Sequence, residues 1–326
     1  MIAVYMSRFG FLIPLLFCAP LALTSASAQS ANKTAADPAS SAQSAVNLAE
    51  NGHCVKALPL LRKNLYQVKE RDLKLKLAVD GVRCAMTLHQ PDPALQFLSL
   101  LARDFREDPD ALYVAIHAYS DLSTMSSQQL ARDAPDSYQA HELLAEAFES
   151  QGKWEDAEKE YRGILKNHPN LPGIHFRLGR LLLSKPNPTP EAANQAKQEF
   201  AEELKLDPKN AGAEYVLGEM ARQTQQWDEA VSHFARASKL DPEFGEAFLG
   251  LGMALNAEKQ YGKAVAPLET AVKLEPGNPD AHYNLAMAFA RSGQKEEGDK
   301  EFAIHRSLIG EQGANAGQGS SSAQPQ

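Results

Sequence analysis

PEFGEAFLGLGMALNAEKQYGKAVAPLETAVKLEP, residues 242–276, decides the fold. Phe248, Leu251-Gly252 and Leu255 fall on one face of a helix, and Ala264 and Leu268 fall on one face of a second. The bracketing prolines belong to a grid: Pro135, Pro169, Pro208, Pro242 and Pro276 stand 34, 39, 34 and 34 residues apart. The longer interval carries an insertion in Lys185-Pro186-Asn187-Pro188-Thr189-Pro190. Inside each interval the same order returns. It reads His141, Leu144-Ala145, Phe148, Ala157, Tyr161; then His175, Leu178-Gly179, Leu182, Ala196, Phe200; then Leu217-Gly218, Ala221, Ala230, Phe234. After Pro276 it reads His282, Leu285-Ala286, Phe289, Gly298, Phe302.

A fixed period of 34 residues with these apolar, small and aromatic positions resembles the tetratricopeptide repeat (TPR) family. The resemblance covers five consecutive repeats, about 138–171, 172–210, 211–244, 245–278 and 279–309 within 136–309. It implies an all-α, TPR-type α-solenoid, a right-handed superhelix of antiparallel helix pairs. Ala145, Gly179, Gly218, Gly252 and Ala286 are expected to let each first helix approach its second, against Ala157, Ala196, Ala230, Ala264 and Gly298. Gly152 and Gly293 suit the turn between the two helices, since glycine accepts positive φ. Each proline stops a second helix.

Residues 38–135 carry the pattern in degenerate form. One repeat fits 38–71, with Ser44-Ala45, Leu48, Gly52, Ala57 and Leu61, and a looser one fits 75–109 around Ala94, Leu98 and Pro109. Residues 110–135 are short for a full unit and are expected as a truncated helical pair. Pro59 and Pro267 fall inside second helices, which should therefore start late or kink.

The ends read differently. Arg8, an apolar stretch from Phe9 to Leu23, then Ala26-Ser27-Ala28 give the order of a secretory signal over residues 1–28. The stretch is short for a membrane span and holds Pro14 and Pro20, so cleavage after Ala28 is expected, leaving no stable span. A lipoprotein reading would use Cys18, but bulky Phe17 precedes it. Residues 29–37 read as a flexible leader, and 310–326, GEQGANAGQGSSSAQPQ, as a disordered tail. Export makes the two remaining cysteines a disulfide candidate. Cys54 falls near the start of a second helix and Cys84 near the end of the following first helix, ends that antiparallel helices bring together. Such a bridge would contribute about 3–4 kcal/mol through its loop.

Composition excludes some functions. Apolar residues make up 44% and charged residues 23%, ordinary for a soluble protein. The formal charge is −8, or −9 once Arg8 is removed, without a basic stripe, which argues against nucleic acid as partner. No phosphate loop, zinc-protease helix, nucleophile elbow or Cys-x-x-Cys pair occurs. His141, His175 and His282 recur at one repeat position, about 10 Å apart in adjacent repeats, which favours packing over a metal site. Trp154 and Trp227 likewise share one position. No catalytic residue, cofactor or metal is expected.

In the resembled family, ligands lie along a concave groove lined by first helices. The position after the histidine supplies Glu142, Phe176, Tyr215, Leu249 and Tyr283. Four residues on lie Glu146, Arg180, Glu219, Met253 and Met287, with Arg222 and Asn256 continuing the face. Aromatic and methionine side chains there suit adaptable peptide contact. The Lys/Asn pair of the chaperone-adapting carboxylate clamp is missing at these positions. The expected groove is therefore Phe176, Arg180, Tyr215, Glu219, Arg222, Leu249, Met253, Asn256, Tyr283 and Met287. It would serve a protein or peptide partner of an exported, periplasmic or secreted scaffold, in envelope assembly, secretion or pilus biogenesis. The alternatives are an enzyme with a small N-terminal catalytic unit, or a structural spacer. N-terminal sequencing of the exported chain should start at Gln29; a start at Met1 would refute cleavage.

Overall fold

A computed structural model describes residues 38–187 and 189–319, which hold fifteen α-helices and no strand among the described residues. The expected signal, the leader and the last residues of the tail lie outside the described residues. The chain divides into two compact units, one ending at Leu122 and one beginning at Ser123.

The first unit contains α1 (Pro38–Glu50) with α2 (Cys54–Asn64), α3 (Arg71–Thr87) with α4 (Pro91–Asp104), and the start of α5 (Pro109–Asp133). Phe97, Leu98 and Leu101 of α4 are fully buried with Leu61 and Leu77, each worth about 1.5–3 kcal/mol of apolar burial. Gly81 of α3 lies directly under the Phe97 ring, so close that a Cβ there would clash with it. Cys54 and Cys84 form the expected disulfide, with Cα atoms 4.9 Å apart, and join α2 to α3. Residues 109–133 are one helix, not the expected truncated pair. No proline between Pro109 and Pro135 interrupts the helix.

The second unit stacks α6 (Tyr138–Ser150) with α7 (Trp154–Asn167), α8 (Ile174–Ser184) with α9 (Pro190–Leu206), and α10 (Ala211–Gln223) with α11 (Trp227–Leu240). Next come α12 (Gly245–Ala257) with α13 (Tyr261–Leu274), and α14 (Pro279–Ser292) with α15 (Lys295–Gly319). Helix α15 runs nine residues beyond Gly310, into the segment expected as tail.

Short-range chemistry sets these boundaries. Pro169, Pro208, Pro242 and Pro276 each stand two residues beyond a second helix. The intervening His168, Asp207, Asp241 and Glu275 all leave the helical region, with φ of −126° to −133° and ψ of 65° to 99°. A residue before proline is driven there by the pyrrolidine ring. Ser137, Asn210 and Asn278 cap α6, α10 and α14 by accepting from backbone N–H groups of the first turn. Helix α8 has no such residue; instead buried Glu203 of α9 accepts from the Gly173 N–H at 2.8 Å and the Phe176 N–H at 3.3 Å. The turns between paired helices need positive φ. Gly52, Gly152 and Gly293 supply it, and so do His89, Gln225 and Lys259 at φ of 53° to 63°.

Pro59 and Pro267 do not delay their helices, since α2 and α13 run through them; of the late start and the kink expected there, the late start is absent. The carbonyls they leave without an amide belong to Val55 and Lys263, both exposed residues. The close partners of the small first-helix residues also differ. A methyl on Gly179 would stand 2.9 Å from the Phe200 ring, and one on Gly218 2.8 Å from Phe234; Gly252 meets Leu268 in the same way. The missing side chain is therefore space for a ring or Leu four residues beyond the expected alanine. Gly298 does approach the α14 backbone, 3.0 Å from the Ala286 carbonyl oxygen. Gly218→Ala should therefore lower stability by about 1–3 kcal/mol, read as a fall in melting temperature, whereas Gly163→Ala, in open space on α7, should not lower it.

Candidate functional site

The first helices α6, α8, α10, α12 and α14 place one residue per repeat at the position after the histidine. Phe176 is half-buried; its ring meets Phe200 edge-on at 5.7 Å and reaches Gly212 at the start of α10. Tyr215 lies between Phe234, at 5.7 Å, and Phe244, at 4.8 Å, just before α12. Burial raises the Tyr215 phenol above its ordinary range, helped by Glu219 and Glu246. Leu249 is half-buried against the core beneath it. Tyr283 touches Phe302 and His305 on one side and is 43% exposed on the other.

These side chains are not all open walls of the expected groove. Phe176 and Tyr215 are half core and half surface, because each lies on the ring that fills the small first-helix position of its own pair. Tyr283 comes nearest to an open anchor.

Four residues on, the charges are divided between paired and free. Arg222 is held by Glu219 through contacts of 2.8–3.1 Å, so the two neutralise each other. Glu142 and Glu146 both close on Arg177 of the next repeat, at 2.8 and 2.6 Å. Arg180 is exposed and stacks over the Phe176 ring at 6.0 Å, with no acidic partner among the described residues. Met253 and Met287 are half-buried. Asn256 is buried rather than lining an open surface: its Nδ2 donates to the Asn284 carbonyl of α14 at 3.0 Å, while its Oδ1 has no partner among the described residues.

The recurring histidines are pairing residues. His141 meets Glu160 at 2.7 Å, His175 meets Glu199 at 2.6 Å and His282 meets Glu301 at 2.6 Å, each tying a first helix to its second. The third repeat reverses the pair, with Glu214 on the first helix and His233 on the second at 2.6 Å. The fourth has Phe248 and Pro267 at these places. Among the described residues no three His, Cys, Asp or Glu side chains are arranged to hold a metal ion. The partners carried a signal in the sequence, a spacing of 19 residues, or 24 across the insertion.

Stacked helical hairpins with an aromatic and aliphatic stripe on their first helices define the class: an α-solenoid that offers a surface for binding. A sequence model of the tetratricopeptide repeat family matches residues 127–172, 151–211, 190–242, 215–279 and 260–298. The chain belongs to that family. No curated protein sequence matches it. Among solved structures it is similar to MamA, at 21% identity over 52% of this chain and 97% of that one, TM-score 0.47. It is also similar to MamA from Desulfovibrio magneticus RS-1, at 20% identity over 54% and 97%, TM-score 0.48. YrrB, a TPR protein with an unusual peptide-binding site, is 20% identical over 56% and 91%, TM-score 0.48.

Tyr215→Ala should cost about 2 kcal/mol of stability, since it empties the space between two rings, and differential scanning calorimetry should register the loss.

Proposed function

We propose that the chain is a non-catalytic scaffold that holds a protein or peptide segment along the first helices of its last four repeats. The observation that supports this is one apolar side chain per repeat at a single register: Phe176, Tyr215, Leu249 and Tyr283, each at least partly accessible. Repetition at the period of the stack gives a stripe rather than scattered apolar surface, and such stripes mark interaction sites. Arg180 adds an unpaired positive charge at one end of that register, so the favoured segment carries apolar anchors and an acidic residue near Arg180.

The reading includes export. The charged, apolar and small-residue order of residues 1–28 supports it, and so does the Cys54–Cys84 disulfide, a bond that persists in oxidising compartments. In that setting the scaffold would act in the cell envelope, in assembly, secretion or pilus biogenesis.

Peptides selected from a random display library against the full chain provide the test. Tyr283→Ala should weaken the selected peptides by about tenfold while leaving the melting temperature near that of the parent. Arg180→Ala should weaken chiefly those with an acidic residue. Peptides that bind both variants as well as the parent would remove the groove from this register.

A further inference from the structure

The seam between the first two hairpins, where α1 and α2 pack on α3, is held differently from the seams of the second unit. Gly81 is the small residue of α3 that lies under a ring. The residue before it, Asp80, therefore holds the place of Leu178, Leu217, Leu251 and Leu285, each of which precedes the small residue of its own first helix. In the second unit that leucine joins one hairpin to the hairpin before it. Leu178 shares a buried cluster with Tyr161 and Ile164 of the preceding pair, and Leu285 with Leu255 and Leu268.

Asp80 puts a carboxylate at this place, only 7% exposed. Its ion pair is with Arg83 at 3.7 Å, too long for a hydrogen bond and made by an arginine that is itself exposed. Burial raises the Asp80 carboxyl above its ordinary range; Arg83 and Lys76 work against that, and Glu50 at the end of α1 adds to it. A buried carboxylate so weakly compensated opposes folding of the seam. Helix α1 adds little against that cost, since the residues it fully buries are the small Ala42, Ala45 and Val46. One turn beyond Asp80, on the same face of α3, stands Cys84, and its bond to Cys54 crosses the seam from α2. A covalent link thus stands beside the place where the leucine is missing.

We propose that the Cys54–Cys84 bridge is a redox-dependent clasp: the hairpin of α1 and α2 is seated on α3 when the bridge is closed and released when it is reduced, while the second unit, which contains no cysteine, is indifferent to redox state. Closing the clasp takes two protons and two electrons from the two thiols and passes them to a second disulfide, which becomes two thiols. Opening it takes a dithiol. One thiolate of the dithiol attacks the sulfur of Cys54, the less buried of the pair, and Cys84 leaves as a thiolate that takes up a proton. The second thiol then displaces Cys54, so the dithiol ends as a cyclic disulfide and the protein holds two thiols. A chain made in a reducing compartment carries this hairpin loose until oxidation seats it. The clasp requires neither the groove nor a ligand in it.

Hydrogen–deuterium exchange of the full chain, read by mass spectrometry before and after dithiothreitol with alkylation to count thiols, provides the test. Reduction should speed exchange across α1 and α2 at least about tenfold and leave α6 to α15 unchanged. The double variant Cys54→Ala, Cys84→Ala should show the reduced pattern with or without the dithiol. In that double variant Asp80→Leu, which restores the leucine of the other seams, should return most of the lost protection, and Asp80→Asn, which removes the charge at nearly constant size, should return part of it; exchange of α6 to α15 reports that the rest of the chain is folded. Two free thiols in the oxidised chain overturn the proposal. So does equal exchange of α1 and α2 in the oxidised and fully reduced chains, or a loss of protection shared equally by both units. Failure of both Asp80 substitutions to return protection overturns it as well, since the bridge then does not compensate for the carboxylate.

Discussion

Four of the helical hairpins are held by a side chain from the second helix entering a space that the first helix leaves by having no side chain. Phe97 over Gly81, Phe200 over Gly179, Phe234 over Gly218 and Leu268 over Gly252 repeat this contact across both units. It costs little within the first helix, where a single glycine weakens the helix by about 1 kcal/mol, and it lets a large apolar group be fully buried between two backbones. Much else follows from that distance. The His–Glu pairs can close at 2.6–2.7 Å only if the helices are already near one another. The stripe residues Phe176 and Tyr215 each lie on the ring that makes this contact, so neither is wholly surface. The candidate binding face is thus the outer side of the contact that holds each repeat together.

Legibility in the sequence followed the range of the interaction. The proline grid gave the repeat because proline and the residue before it act locally, with no partner elsewhere. The Leu-small pairs gave the core face for the same reason. Who meets whom across the pair was harder: alanine looked like the partner of glycine, whereas geometry assigns the ring four residues on. Glu203 was invisible as a cap, since it replaces in space, not in sequence, the Ser or Asn that α8 lacks. Helix α5 is hard to read because a segment shorter than one repeat fits a truncated pair and a single long helix equally well. At the candidate site the register was readable, but the pairing of Arg222 with Glu219 and the burial of Asn256 depend on neighbours that only packing supplies.

The reversed pair in the third repeat has a consequence for how the chain avoids error while folding. Tandem repeats invite slippage, in which a first helix closes on the second helix of the wrong repeat and every apolar position still matches. If all repeats carried histidine on the first helix and glutamate on the second, such a slipped hairpin would also match in polarity. Here a slip by one repeat sets Glu214 against Glu199, two carboxylates facing across a gap sized for a hydrogen bond, and a slip of the second repeat's first helix onto the third repeat's second sets His175 against His233. Like charges or unmatched ring nitrogens at that spacing disfavour the slipped hairpin. The exchange of two residues thus sets the polarity of the third hairpin apart from that of its second-repeat neighbour.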